Sequence, residues 1–460
     1  MQVTRAAGTV PDMTDLSFAT EPLTRRGALL SPDAPGYDTA RRVHNGLIDK
    51  RPAAIARCQT RDDVVQALEL SDRRAFEVSV RGGGHNVAGR AVTDGGLMID
   101  LSPMRGIVID PVRRRARVQA GVLWRELDQA TAQHGLATTG GVVSTTGVAG
   151  LTLGGGIGHL MGSCGLTVDN LLSAEVVAAD GRCVLANGHQ HEDLFWALRG
   201  GGGNFGIVTE FEFSLHPVAQ VTTGLLVHPA DVALEVLRSY RELAATAPDQ
   251  LSVSCGLVHA PDGASVIAVP ICWTGDARRT DSLLSALRLR PPLLDTVSSQ
   301  PYPAANQLLD EGFPRGALSY WKSAFVGQPS DGLLESMVAA YAEAPSPMSA
   351  IVFENLHGAA TRVEPSATAF PHRGPGHSVL IAAQWQNVDE TQENVAWARR
   401  TYAALLPHAA GGRYVNYLGA DEPDAVRAAY GANWDRLLTV KRAWDPDNVL
   451  HLNHNIDPRG

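Results

Sequence analysis

Val78–Leu101, VSVRGGGHNVAGRAVTDGGLMIDL, reads as a strand, a glycine loop holding one histidine, and a second strand. Gly82, Gly83 and Gly84 lack side chains, so their backbone N–H groups can turn inward and approach an anionic ligand closely, the kind of nest that cradles phosphates. His85 closes that nest. A neutral imidazole is a competent nucleophile, and a histidine beside a phosphate-binding loop is well placed to meet the rest of a dinucleotide. The same residues also suit a tight glycine turn that a histidine merely caps, and the loop alone leaves both readings open.

Upstream, YDTARRVHNGLIDKRP suits one short helix. TRDDVVQALELSDRRAF starts a longer one, with Thr60 as N-cap, Asp62 and Asp63 in the first turn, and apolar residues at helical spacing. Downstream, GIVIDPVRRRARVQAG predicts two strands joined at Asp110-Pro111, and VLWRELDQATAQHG predicts a helix. Residues 140–170, GGVVSTTGVAGLTLGGGIGHLMGSCGLTVDN, are too rich in glycine for ordinary core and too rich in Val, Leu and Ile for a linker. This stretch must pass close to a ligand or another backbone. LLSAEVVAADGRCVLA predicts a hairpin turning at Asp180-Gly181. Gly201, Gly203 and Gly206 in RGGGGNFGIV match GxGxxG, but a helix precedes and a strand follows, the reverse of a Rossmann fingerprint.

The loop from Arg81 to Asn86, with Gly89 and the following DGGLMIDLS, resembles the flavin-attachment loop of berberine-bridge-enzyme-like oxidases, within the wider vanillyl-alcohol oxidase and p-cresol methylhydroxylase family. The likeness is to the bacterial 6-hydroxy-D-nicotine-oxidase-like branch. It spans most of the chain, and is strongest at 78–102, 140–210 and 413–456. The resemblance implies an α+β chain with a two-domain p-cresol-methylhydroxylase-type FAD-binding fold and an antiparallel-sheet substrate domain covered by helices. The expected divisions are an FAD domain at 1–217, a substrate domain at 218–412, and a segment 413–460 returning to the FAD domain.

It further implies FAD carried covalently by His85 through the flavin 8α-methyl group. The residues it assigns to the cofactor are Arg81, Gly82, Gly83, Gly84, Asn86, Gly89 and Ser102 around the first loop. Gly141, Thr145, Gly147, Gly150, Leu151, Gly154, Gly155 and Gly158 follow in the glycine-rich stretch. Asn204, Gly206 and Val208 come from the second loop, where Phe205 also fits, and Asn453 and Asn455 from the tail. In bicovalent relatives a cysteine stands where this chain has Val143, so no second, cysteinyl link is expected; Cys164 reads as a quietly packed residue.

In sugar- and alcohol-oxidising relatives the second tyrosine of a YxNY motif takes the substrate hydroxyl proton, which is Tyr417 in YVNY here. Read as a strand, YVNY sends Tyr414 and Tyr417 to opposite sides, so one of them faces the flavin. A phenol titrates near 10 and needs nearby positive charge or strong donors to act near neutrality; Lys322 is a candidate helper. Gln384 is a further catalytic candidate. An amine route independent of the tyrosine stays open.

The middle of the chain alternates strands (LSVSCGLVHA, ASVIAVPICWTG, SYWKSAFVG, SAIVFENLHG, HSVLIAAQWQ) with helices (PADVALEVLRSYRELAAT, SDGLLESMVAAYAEA, ENVAWARRTYAALL). Such a sheet with helices on one face leaves the other free to roof a pocket. The tail predicts one long amphipathic helix that stops at Asp445-Pro446.

The 460 residues suggest two domains, and a net charge of −9 without a basic run argues against nucleic acid. Neither an apolar span nor a leader in the first twenty residues is visible, which reads as a cytoplasmic protein without a membrane partner. Five scattered cysteines suggest neither a disulfide framework nor a metal site. GxxxxGK[ST], HExxH and GxSxG are absent. The expected activity is an FAD-dependent oxidase that dehydrogenates an alcohol, sugar or amine, in secondary metabolism, and returns electrons to O2. A flavin-dependent oxidative cyclase or monooxygenase, or a flavin-binding protein without turnover, is the alternative.

Overall fold

The computed structural model describes residues 28–422 and 424–460. The first twenty residues, read above for a leader, lie outside them.

Thr60 begins the helix Arg61–Arg74 as the sequence predicts: its hydroxyl accepts from the Asp63 N–H, and the Asp63 carboxylate accepts from the Thr60 N–H. This helix packs on a small sheet ordered Leu29–Leu30, Ala54–Arg57, Leu97–Asp100, Val78–Arg81, in which the last three strands run parallel. Leu97–Asp100 is buried throughout, as a central parallel strand should be. The ends of the two strands flanking the first glycine loop are tied by Arg81, whose guanidinium meets Asp100 at 2.7 and 2.9 Å. Its remaining nitrogen donates to the carbonyls of Ala40 and Arg42. The loop and the 40–46 segment are thereby held together. The short helix expected there is one turn, Tyr37–Ala40, followed by irregular backbone.

A second, antiparallel sheet runs Ile107–Asp110, Arg115–Gln119, Ile207–Ser214, Leu171–Val177, Cys183–Asn187, including both predicted hairpins. Phe213, with Phe211 stacked beside it, meets Trp124 of the helix Trp124–Ala132.

The third sheet is antiparallel, with its main path running Leu294–Asp295, Gln220–Pro229, Ser265–Trp273, Leu251–His259, Ala350–Leu356, Gly376–Trp385, Leu318–Val326. Gln220–Pro229 was not read as a strand from sequence. Side chains alternate across a strand. Ile351, Phe353, Val379, Ile381 and Ala324 face the helices Ala233–Ala245, Asp331–Ala342 and Thr391–Leu405. Val352, Glu354, Leu380 and Trp321 therefore face the other way, into the cavity between this sheet and the glycine loops.

The tail corrects two expectations. Val415–Tyr417 is a single 3-10 turn, not a strand. The long helix is two, Ala425–Tyr430 and Trp434–Trp444, parted at Gly431, whose φ is +49°. The second helix anchors the chain end: the fully buried Lys441 ammonium bridges the Asp445 carboxylate (2.6 Å) and the Asn204 carbonyl (2.9 Å). Asn204 in turn donates to His454 O and accepts from the Ile456 N–H, so the tail closes over the second glycine loop. Among the described residues no helix is long and apolar enough to cross a membrane.

Candidate active site

One cavity runs between the glycine loops and the free face of the large sheet. At one end it is lined by Gly82, Gly83, Gly84, His85 and Asn86, and by Gly141, Gly147, Gly150, Leu151, Gly154 and Gly158 of the glycine-rich stretch. Asn204, Gly206, Val208 and Asn453 close that side. The glycines are there because backbones touch: a Cβ on Gly83 would lie 2.4 Å from the Gly147 nitrogen. Gly83→Ala should cost about 1–3 kcal/mol, as overpacking does. Chemical denaturation of the flavin-loaded protein checks this, and an unchanged midpoint would mean that the two loops part readily.

The His85 ring is gripped from two sides. Its Nε2 is 2.9 Å from Thr145 Oγ1, and the His44 ring stacks on it with centroids 3.7 Å apart at 33°. Burial, then the neighbouring His44 and Arg315, hold His85 well below the ordinary histidine range. His44, pushed down to about 4 by burial, donates from Nε2 to Phe313 O at 3.1 Å. A neutral, oriented imidazole opens on the cavity, as nucleophilic chemistry at a histidine requires.

Tyr414 and Tyr417 both line the cavity, because the 3-10 turn replaces the alternation of a strand; their rings meet edge to face at 4.8 Å. The Tyr414 hydroxyl accepts from the Gly156 and Ile157 N–H groups and from Asn416, which ties it to the glycine loop. The Tyr417 hydroxyl donates to Glu354 Oε1 at 2.9 Å. Burial, then the Glu354 carboxylate, drive the Tyr417 phenol well above 10. Burial lifts Glu354 to about 7, against the hydrogen bond from Tyr417. Within the pair, burial brings the carboxyl toward neutrality and takes the phenol away from it.

Lys322 does not assist. It sits on the helix-covered face of its strand, with its ammonium 3.0 Å from both Asp421 and Glu422. Gln384 also departs from expectation: it does not line the cavity, and its amide donates to the carbonyls of Gly312 and Met348. Arg81, Gly89, Ser102, Thr145, Gly155 and Asn455 stand behind the lining. Ser102 binds the Asp100 carboxylate that holds Arg81, Gly89 packs on Ile48, and Gly155 faces Phe370. Cys164 packs beside Leu160 and Ala137 outside the cavity, its thiol pushed up to about 11 by burial, whereas Val143 lines it.

Sequence reading passed over Glu354, His44, Arg90, His454, Phe313 and Trp321. Glu354 had a signal: it is a charged residue inside the otherwise apolar strand SAIVFENL. His44 and His454 had none, since their partners lie far away in sequence.

The residues fit FAD. The glycine walls leave backbone exposed to a flat or anionic ligand, and polar atoms facing the same end want partners. Both ring nitrogens of the buried His454, and Nε of Arg90, have no hydrogen bond within the protein.

Comparison with known proteins agrees. An FAD binding domain model matches residues 52–187, and a "Berberine and berberine like" model matches residues 413–457. (R)-6-hydroxynicotine oxidase of Paenarthrobacter nicotinovorans is 30% identical over 457 residues, covering 95% of this chain and 98% of that protein. The solved structure of 6-hydroxy-D-nicotine oxidase from Arthrobacter nicotinovorans superposes with a TM-score of 0.86 at 29% identity, over 94% of this chain and 97% of the other. The berberine-bridge-enzyme-like protein 1 of Physcomitrella patens superposes with a TM-score of 0.83 at 27% identity, over 93% and 96%. Fold, cavity and relatives converge: the chain belongs to the berberine-bridge-enzyme-like FAD-linked oxidoreductases and is an FAD-dependent oxidase of a small organic substrate.

Proposed function

We propose that the chain carries FAD on His85 alone and that Glu354, held by Tyr417, takes the proton a substrate gives up on oxidation. The observation that carries this reading is that His85 and the Glu354–Tyr417 pair open onto one cavity. Flavin, when bound, supplies the two-electron acceptor for hydride from the substrate carbon, and O2 then takes those electrons.

The rest is the work of this chain's residues. Gly82–Gly84 and Gly147–Gly158 hold the cofactor, with Asn204, Gly206, Val208 and Asn453; Arg90 and His454 supply polar partners. Thr145 and His44 orient His85, and burial, then His44, keeps it neutral. The 218–412 portion receives the substrate, and the 413–460 segment brings Tyr414 and Tyr417 back to the flavin end. The apolar sheet face around Glu354 excludes water, which keeps its carboxyl poised. The protein works in the cytoplasm, on a metabolite of secondary metabolism.

Acid precipitation followed by peptide mass spectrometry tests the attachment. The expected result is a yellow pellet with flavin on the His85 peptide only. Flavin left in the supernatant, or an adduct on the Cys164 peptide, would overturn it.

A further inference from the structure

Both groups that grip His85 are themselves held by the 218–412 portion of the chain. Thr145 follows Ser144, and every polar atom of Ser144 is bonded. Its N–H and hydroxyl donate to the two carboxylate oxygens of Asp310 at 2.7 and 2.6 Å, and its carbonyl accepts from the Arg125 N–H at 2.9 Å. Asp310 begins the 3-10 turn Asp310–Gly312. His44 donates to the carbonyl of Phe313, the residue after that turn. The contact continues from there: His44 O accepts from the Gly316 N–H, the Gly46 N–H donates to Ala317 O, Asn45 exchanges two bonds with Ser319, and Arg315 donates to Arg42 O.

Thr145 needs such a brace because it lies in an irregular turn, with neither helix nor strand to fix its backbone. Hydrogen bonds from an N–H and an O–H to one carboxylate are short and strong, and together they fix both the main chain and the side chain of Ser144. The peptide that leads into Thr145 is thereby set, and with it the hydroxyl that meets His85 Nε2. The same turn also walls the cavity, since Leu309 and Phe313 line it and Phe313 meets Trp321 edge to face at 5.8 Å.

Building on the attachment proposed above, we infer that Asp310 is a positioning residue for covalent flavin attachment: acting through Ser144 and Thr145 it aims the His85 imidazole, and so couples attachment to the docking of the 218–412 portion on the glycine loops. Attachment joins an imidazole nitrogen to the 8α carbon. One imidazole N–H and one methyl C–H break, the C–N bond forms, both hydrogens and the electron pair pass to the flavin ring, and O2 takes them as hydrogen peroxide. Misplacing the nucleophile by about 1 Å can slow such a step about 100-fold. The glycine walls that bind the cofactor are untouched by the change.

The test separates binding from bonding. Wild-type protein and variants, made in riboflavin-limited cells, are incubated with FAD over a range of concentrations, and aliquots are acid-precipitated over time. Pellet flavin reads the bond, and quenching of flavin fluorescence reads binding. Asp310→Asn keeps the size but turns one acceptor into a donor, so the limiting rate of attachment should fall at least about 10-fold, the scale of a hydrogen bond to a charged group, while half-saturation shifts less than about 2-fold. Asp310→Glu retains the carboxylate and should recover part of the rate. Ser144→Ala loses the hydroxyl bond alone and should slow attachment in the same direction; this arm stands even if Asp310→Asn fails to fold. Attachment at the wild-type rate in Asp310→Asn and Ser144→Ala, or a loss of rate matched by an equal loss of FAD affinity, overturns the inference. A yellow wild-type pellet with variants that load equally fast counts against Asp310 alone, whereas a colourless wild-type pellet counts against the His85 attachment itself.

Discussion

Tyr417→Phe should slow anaerobic reduction of the flavin by substrate about 100-fold, and Glu354→Gln at least as much, the range of general acid–base contributions. The reason is the single hydrogen bond that joins them at 2.9 Å. Phenylalanine keeps the ring against Trp321 and Tyr414 but removes the hydrogen bond from the phenol that favours the ionised Glu354, leaving it costlier to ionise. Glutamine keeps the shape and removes the proton acceptor. Because the two act as one unit, the double variant should be little slower than the worse single. Additive losses would separate their roles. Stopped-flow reduction under argon reads all three.

The wild-type rate should depend on pH through Glu354. Its ionised form is the acceptor and burial lifts it to about 7, so the rate constant rises about tenfold per pH unit below that value and levels off above it. A limb near pH 4, where an ordinary carboxyl titrates, would remove Glu354 from the mechanism.

His85→Ala should abolish covalent flavin altogether, since no other nucleophile among the described lining residues is placed as it is. The imidazole is neutral, oriented by Thr145 and His44, and sits at the mouth of the glycine nest. The variant should still bind FAD through the glycine walls, because those contacts are made by backbone. Its melting temperature should then rise with added FAD, following mass action, while that of the wild-type protein stays put. Acid precipitation and a thermal melt against FAD concentration check both halves. A yellow pellet from the variant would show that another residue can take the flavin.

Local chemistry made much of this legible without coordinates. The Thr60 N-cap, the hairpin at Asp180-Gly181 and five strands of the large sheet are short-range patterns, and each formed where it was read, whereas the strand Gln220–Pro229 was missed. The glycine stretches announced close approach because nothing else explains so many missing side chains beside Val and Leu. Their meaning as a flavin seat came from resemblance, and the geometry of Gly83 against Gly147 shows why both loops need glycine.

Tertiary structure alone brought the proposed acid to its partner. Glu354 and Tyr417 are 63 positions apart, and their bond exists because sheet alternation turns Glu354 away from the helices while a 3-10 turn, not a strand, swings Tyr417 toward it. The same alternation sends Lys322 to the opposite face, where Asp421 and Glu422 hold it, and so the expected cationic helper was lost. His44 reached His85 only through the Arg81 and Asn45 contacts that fold the 40–46 segment over the loop. Backbone pattern is set by neighbours in the chain, whereas the ionisation of a buried group is set by whatever distant residues desolvate it, and that no linear spacing records.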